Sequence, residues 1–262
     1  SESDKIIKEG YSLVHALVAT KNTNALRRVL QAGAKPNIYP LSDKLEEKIT
    51  PLVLAAKVRH LNSIRALVEK SDADILNAKG PLGENVLHAA VENNSGEIVE
   101  YILKVSQNAL LEKTDNKGAT PLHYACITGR TRLITLFVKD RHASISPHDN
   151  KGATPLHYAV RHRQLKAVAT LIELGACPND SIPKQMPTPL DLAKSGGFEN
   201  IADYLKRAGG KTTKELERGS ITKKKSSSIF SGESSGSSDM SSANKSIKHY
   251  LQMKTTQILK GK

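Results

Sequence analysis

The chain has 262 residues, 38% of them hydrophobic and only 4% aromatic, with no Trp, so its core must be built from Leu, Ile, Val and Ala, and stacking platforms for nucleic-acid bases are disfavoured. The net charge is +13, but eleven Lys/Arg against four Asp/Glu fall from Gly209 onward, leaving only +6 over the first 208 residues, which argues against a nucleic-acid-binding face on the body of the chain. There is no run of about 18 apolar residues to span a membrane, and the first ten residues lack the apolar segment of a signal peptide, so an intracellular protein, cytoplasmic or nuclear, is expected.

In chain order the same unit recurs six times. Markers stand at Ser12, Thr50, Asn85, Thr120, Thr154 and Thr188, with spacings of 38, 35, 35, 34 and 34. Gly-Ala-Thr-Pro-Leu-His-Tyr-Ala occurs twice, at 118–125 and 152–159, and looser copies follow the other markers. Each period reads as a turn, a short helix and a second helix with apolar residues at helical spacing. Leu133, Leu136 and Phe137 are expected on one face of such a helix, and Leu165, Val168, Leu171 and Ile172 on another. Helices of about ten residues are marginal alone and must stack to bury that face.

Asp115-Asn-Lys-Gly118 and Asp149-Asn-Lys-Gly152 supply turn formers before each Thr-Pro, so a hairpin-like finger is expected there. Thr then suits the N-cap and Pro the first helical position. The extra residues near 41–49 predict a longer first finger. Repeat six has Asp191 at the His position and a polar outer surface, as a terminal unit requires, and Gly209-Gly210 stops its last helix.

These residues resemble the ankyrin-repeat family: Thr-Pro-Leu-His-x-Ala, the Asp-x-x-Gly turn before it, and Gly-Ala-Lys-Pro-Asn and Gly-Ala-Cys-Pro-Asn at 33–37 and 175–179. The resemblance implies an all-α solenoid of six repeats over 1–210, each an L-shaped unit of finger plus two antiparallel helices, with a concave protein-binding face. It also implies that His15, His88, His123 and His157, which share one repeat position, make structural hydrogen bonds near the turn. Equivalent atoms of stacked repeats lie roughly 10 Å apart, too far for a shared zinc ion. The family's first helix usually ends in Gly-His, whereas Arg59-His60, Asn94-Ser95 and Arg163-Gln164 stand here. Arg tolerates the left-handed conformation less readily, so local differences are expected at those ends.

Cys126 and Cys177 lie 51 positions apart and fit neither metal-ligand spacing nor a disulfide framework, so two buried, reduced thiols are expected. No nucleophile elbow, Gly-x-Gly-x-x-Gly or Walker loop is present, so neither enzyme activity nor a cofactor or metal is expected. Residues 211–262 read as a disordered Ser/Lys-rich tail, with ten Ser in the seventeen positions 226–242. A weak amphipathic pattern over 245–260 suits plain disorder with nascent helicity, a short partner-docking helix, a membrane surface or the chain's own solenoid, and the lysines at 223–225 suit an ordinary solvated tail, nuclear import or a kinase-accessible switch.

If buried positions recur, specificity belongs to positions that vary between units. The ends of the first helices contribute Lys57, Val58, Arg59, Glu92, Asn93, Ile127, Thr128, Arg161, His162 and Arg163. The fingers contribute Asn116, Lys117, His148, Asn150 and Lys151. Positive charge at repeats two and five suggests a protein partner carrying acidic residues, centred on Ile127, bound by a monomer. Individually, the cations equally suit a solvated face. A bacterial or viral effector using the same surface, and basic nucleic-acid or anionic-lipid binding through the tail, are the alternatives.

Overall fold

A computed structural model describes residues 11–41, 47–70 and 73–219. One compact unit runs over Ser1–Leu216; of a second, Glu217–Lys262, only residues 217–219 are described. The Ser-rich stretch, the lysines at 223–225 and the expected 245–260 helix therefore lie outside the described residues, as does the middle of the first finger.

Each repeat contributes a helix pair: α1 (Leu13–Ala19) and α2 (Thr23–Gln31), α3 (Pro51–Lys57) and α4 (Leu61–Lys70), and α5 (Val86–Glu92) and α6 (Gly96–Val105). There follow α7 (Pro121–Ile127) and α8 (Thr131–Thr135, continued as a π-turn over Leu136–Asp140), α9 (Pro155–Arg161) and α10 (Leu165–Glu173), and α11 (Pro189–Ser195) and α12 (Glu199–Arg207). The first helices begin as their sequence dictates. Thr50, Thr120, Thr154 and Thr188 sit in extended conformation at the N-cap with Pro next, where its fixed φ and missing N–H cost nothing.

First helices pack in chain order, α1 on α3 through to α9 on α11, and second helices do the same for α2 on α4, α8 on α10 and α10 on α12. Small residues permit the close approach: α5 buries Val86, Leu87, Ala89, Ala90 and Val91 together with His88. Among the described residues the fingers contain no strands, only the isolated bridges Lys79–Asn85 and Ile182–Met186.

Four expectations need correction. The buried stripe of α8 and its π-turn is Leu133, Ile134 and Phe137, with Leu136 half-buried, because the face turned to the core is set by the repeat: α6 buries the same positions as Ile98, Val99 and Ile102. In α10 the stripe is Ala167, Val168 and Leu171, while Leu165, at the helix start, stays exposed. Cys177 is exposed in the loop after α10, and only Cys126 is buried, which pushes its thiol pKa upward.

The third correction concerns helix ends. Lys21, Arg59, Asn94, Gly129, Arg163 and Gly197 occupy one repeat position, and all six take the left-handed conformation, with φ of 57, 56, 53, 65, 57 and 67°. The ends do not differ locally: the reversal into the next helix demands this φ, and Lys and Arg accept its strain.

The fourth concerns the boundary. Residues 213–219 are helical, so the ordered body passes 210. Gly209 does end α12, with φ 84°, but Thr212 then caps a new helix: its N–H and hydroxyl donate to Glu215 Oε2 at 2.7 and 2.9 Å, and its Oγ1 accepts from the Glu215 N–H. Thr213 donates from both N–H and hydroxyl to Asp191 Oδ2, and the Asn179 side chain bonds Gly209 O and the Lys211 N–H.

Candidate protein-binding surface

The surface rests on a polar scaffold repeated at the junctions that follow repeats one, three, four and five. His88 Nδ1 accepts the Asn85 N–H at 3.2 Å, and His123 and His157 accept the Thr120 and Thr154 N–H at 3.0 and 3.1 Å. The ring proton therefore resides on Nε2, which donates across to the following finger. His15, His88, His123 and His157 reach the carbonyls of Ile49, Ala119, Ala153 and Pro187 at 2.7, 2.9, 3.2 and 3.0 Å. These are the hydrogen bonds near the turn that the family resemblance implied. Burial disfavours the imidazolium and holds His88 and His123 down at about 4, against a partial upward pull from these carbonyls and from Asp115 and Asp149.

Each of two histidines also packs edge-on against the tyrosine of the next repeat, His88 on Tyr124 and His123 on Tyr158, with centroids 4.8 Å apart. Those tyrosines donate to the finger aspartates, Tyr124 to Asp115 at 3.0 Å and Tyr158 to Asp149 at 2.9 Å. The second carboxylate oxygen of each aspartate holds the turn, accepting the N–H of Lys117 and Ala119 or of Lys151 and Ala153. Among the described residues no group of three or more His, Cys, Asp or Glu side chains could hold a metal.

On this scaffold the helix-end residues fall into register. Val58, Asn93, Thr128 and His162 are the C-caps of α3, α5, α7 and α9, so Lys57, Glu92, Ile127 and Arg161 form the row before them. Several are less available than their sequence position suggests. Asn93 and Thr128 turn their side chains back to the carbonyls of Ala89 and Tyr124, and Ile127 is half-buried with its carbonyl bound by Gln164.

Lys57 pairs at 2.6 Å with Glu84, whose carboxylate is 1% exposed and also accepts the Leu82 N–H. The positive charge at repeat two thus reduces to Arg59, because Glu84 neutralises Lys57 from the next finger. No local motif announces that pair; the only signal is an acid where the equivalent positions carry Ala119 and Ala153. Arg161, His162 and Arg163 are exposed at repeat five, with Arg163 stacked over Phe198 at 5.2 Å and an Arg161 guanidinium N–H meeting Met186 Sδ at 3.3 Å.

The finger residues Asn116, Lys117, Asn150 and Lys151 are exposed, and His148 faces Asp180 at 3.2 Å. The fingers are bonded in series. Asn116 N–H donates to Leu82 O and Asn150 N–H to Lys117 O, both at 2.9 Å, and the Asn150 side chain donates to Asn116 O. These bonds align Leu82 with Lys117 and Lys151. The Gln185 N–H to Ile182 O bond parallels that of Gly118 to Asp115 and gives Lys184 the place in its turn that Lys117 has, though Lys184 is itself left-handed at φ 63° where Gly118 and Gly152 take that conformation; motif spacing alone does not reveal the position.

Ankyrin-repeat family models match residues 13–115 and 105–182. The chain is 29% identical over 174 residues to the ankyrin repeat protein nuc-2 of Neurospora crassa, covering 66% of this chain and 16% of that protein. It is 37% identical over 68 residues to chicken NF-kappa-B inhibitor alpha, 26% of this chain and 21% of that protein. A 90-residue match at 30% identity to the Dictyostelium discoideum NAD-dependent deacetylase sir2B covers 34% of this chain and 11% of that protein. The chain thus spans well under a third of the length of these relatives. The crystal structure of the ankyrin repeat domain of Bcl-3, described as a unique member of the IkappaB family, superimposes with a TM-score of 0.61 at 26% identity, over 75% of this chain and 82% of that one. Ankyrin repeats are scaffolds for protein–protein interaction, and among the described residues no helix is long and apolar enough to cross a membrane. With repeat period, helix pairs and family match in agreement, the chain belongs to the ankyrin-repeat family.

Proposed function

We propose that this chain is a non-enzymatic protein-binding module that seats an acidic partner segment along the helix ends and finger tips of repeats three to five. The observation that carries the reading is the exposed Arg161-His162-Arg163 end of α9 beside the exposed Lys117 and Lys151, against a second repeat whose Lys57 is already neutralised by Glu84. Desolvated at an interface, such cations favour carboxylates and reject like-charged surfaces, giving specificity and association rate more than raw affinity.

The test is capture from eukaryotic cell lysate by the immobilised full chain and by its Arg161→Glu/Arg163→Glu variant, read by quantitative mass spectrometry. Partners retained by the native chain and depleted about tenfold or more on the variant support the reading. An unchanged set of partners whose binding is also indifferent to salt removes the acidic-partner assignment.

A further inference from the structure

The tips of four successive fingers present Leu82, Lys117, Lys151 and Lys184; bonds between fingers align the first three, and the turn bond of Gln185 to Ile182 gives Lys184 the corresponding place at a left-handed φ of 63°. All four are exposed, Leu82 to 51%, and none of the three lysines has an ion-pair partner among the described residues. Their backbones are fixed while their side chains are free. The Lys117 and Lys151 N–H groups are held by Asp115 and Asp149 at 2.8 and 2.9 Å, and the Lys117 carbonyl is bound by the next finger. A Cβ on Gly118 would meet Asn150 at 2.5 Å, so glycine there lets the two successive tips lie this close.

Stacked helices repeat at about 8–10 Å, which fixes the spacing of this row. A polyproline-II segment advances about 3.1 Å per residue with three residues per turn, so every third side chain lies on one face about 9 Å from the last. The two periods coincide. A flat β-strand does not match, because its alternating side chains put every third residue on the opposite face. A helix would present every seventh residue, but helix docking relies on an apolar groove, and Leu82 is the one large apolar side chain exposed among these tips.

We infer that the finger tips read an extended, polyproline-II-like protein segment that carries an apolar residue followed by acidic residues at every third position, one for each of Lys117, Lys151 and Lys184. This rests on the acidic-partner reading above and adds to it the conformation and register of the bound segment. A single exposed Lys–Glu pair contributes little, and discrimination comes from making three at once without reorganising the row.

The probe is a fluorescein-labelled peptide of Pro and Ala with one Leu and Glu at the third, sixth and ninth positions beyond it, in both chain directions. The control has the same composition with Glu at the second, fourth and sixth positions, and fluorescence anisotropy is read on the full chain. The period-three peptide is expected to bind about tenfold tighter than the control in one direction. Lys117→Ala/Lys151→Ala, both exposed and unpaired and so expected to leave the melting temperature unchanged, should remove that preference.

Equal binding of both peptides, lost on charge reversal at Arg161 and Arg163, overturns the register and leaves the acidic-partner reading standing. Binding of neither peptide overturns the ladder, while partners captured through Arg161 and Arg163 would still uphold the broader reading. Tighter binding of a helical peptide with Glu at every seventh position overturns the extended conformation. Tighter binding of a single-stranded oligonucleotide of equal charge overturns the inference in favour of nucleic acid.

Discussion

Repeats four and five are near-copies in sequence, and they build the same junction from His, Tyr and Asp; repeat two, with Val53 at the histidine position, closes its junction by other means. There the Thr50 N–H, lacking a ring nitrogen to accept it, donates to Lys79 O of the next finger at 3.0 Å, and the Lys57–Glu84 pair supplies the second cross-link. Thr50 Oγ1 is left buried without a partner, whereas Thr120 and Thr154 direct their hydroxyls to His123 and His157. At the far end Asp191 inverts the polarity: a carboxylate replaces the ring donor because the chain beyond it offers N–H and O–H rather than a carbonyl. A buried polar tie across each of these junctions is required by desolvation, but its chemistry is interchangeable.

The largest expected effect separates the histidine junctions from the rest. His88 and His123 titrate near 4 in the fold and near 6.5 when unfolded, so between those values the unfolded chain binds more protons. Their stabilisation is complete above about pH 6.5 and is lost as pH falls toward 4; at pH 5 it is reduced by about 2 kcal/mol for each, or about 4 kcal/mol for the two. His15 and His157, also held low by burial, act in the same direction. Urea unfolding at pH 7 and pH 5 measures the drop, and an unchanged midpoint would mean that burial does not lower the pKa of these rings in the fold.

Converting repeat four toward repeat two comes next. His123→Val leaves the Thr120 N–H and the Ala153 carbonyl without the ring between them, and is expected to cost about 2–3 kcal/mol in urea unfolding at pH 7. A cost under about 0.5 kcal/mol would show that Thr120 can turn its N–H to the His148 carbonyl, as Thr50 does to Lys79.

The smallest effect lies at the left-handed helix ends. Arg59→Gly should raise stability by up to about 1 kcal/mol, and Gly197→Ala, where a Cβ meets nothing within 4 Å, should lower it by about as much. Thermal unfolding of both variants checks the pair. Arg163→Gly should gain less, because it also removes the guanidinium stacked over Phe198.

The repeat period, the capping Thr-Pro, the structural histidines and the register of the helix-end row were legible because each follows from local chemistry within one period. The unread features join residues that sequence spacing does not connect. Lys57 and Glu84 belong to different repeats, and the row of tips needed the bond between fingers to place Leu82 and the bond within the last turn to place Lys184. Thr212-x-x-Glu215 is a legible capping box, but it sits in a segment whose polar composition reads as tail. The left-handed Arg59 and Arg163 were obscured for another reason: residue propensity is a weak term, and the reversal between two packed helices overrides it.

The serial bonding of the fingers also bears on how the molecule would carry load. The fingers before α5, α7 and α9 are bonded each to the next, and helices pack on those of the neighbouring repeat, so tension applied at the two ends of the described stack is borne junction by junction. The weakest junction yields first and releases one period of about 34 residues, roughly 110 Å of contour length, while the rest of the stack holds. Such an array is a spring that lengthens in steps, and the alternation of histidine, backbone and ion-pair ties sets the order in which the steps occur.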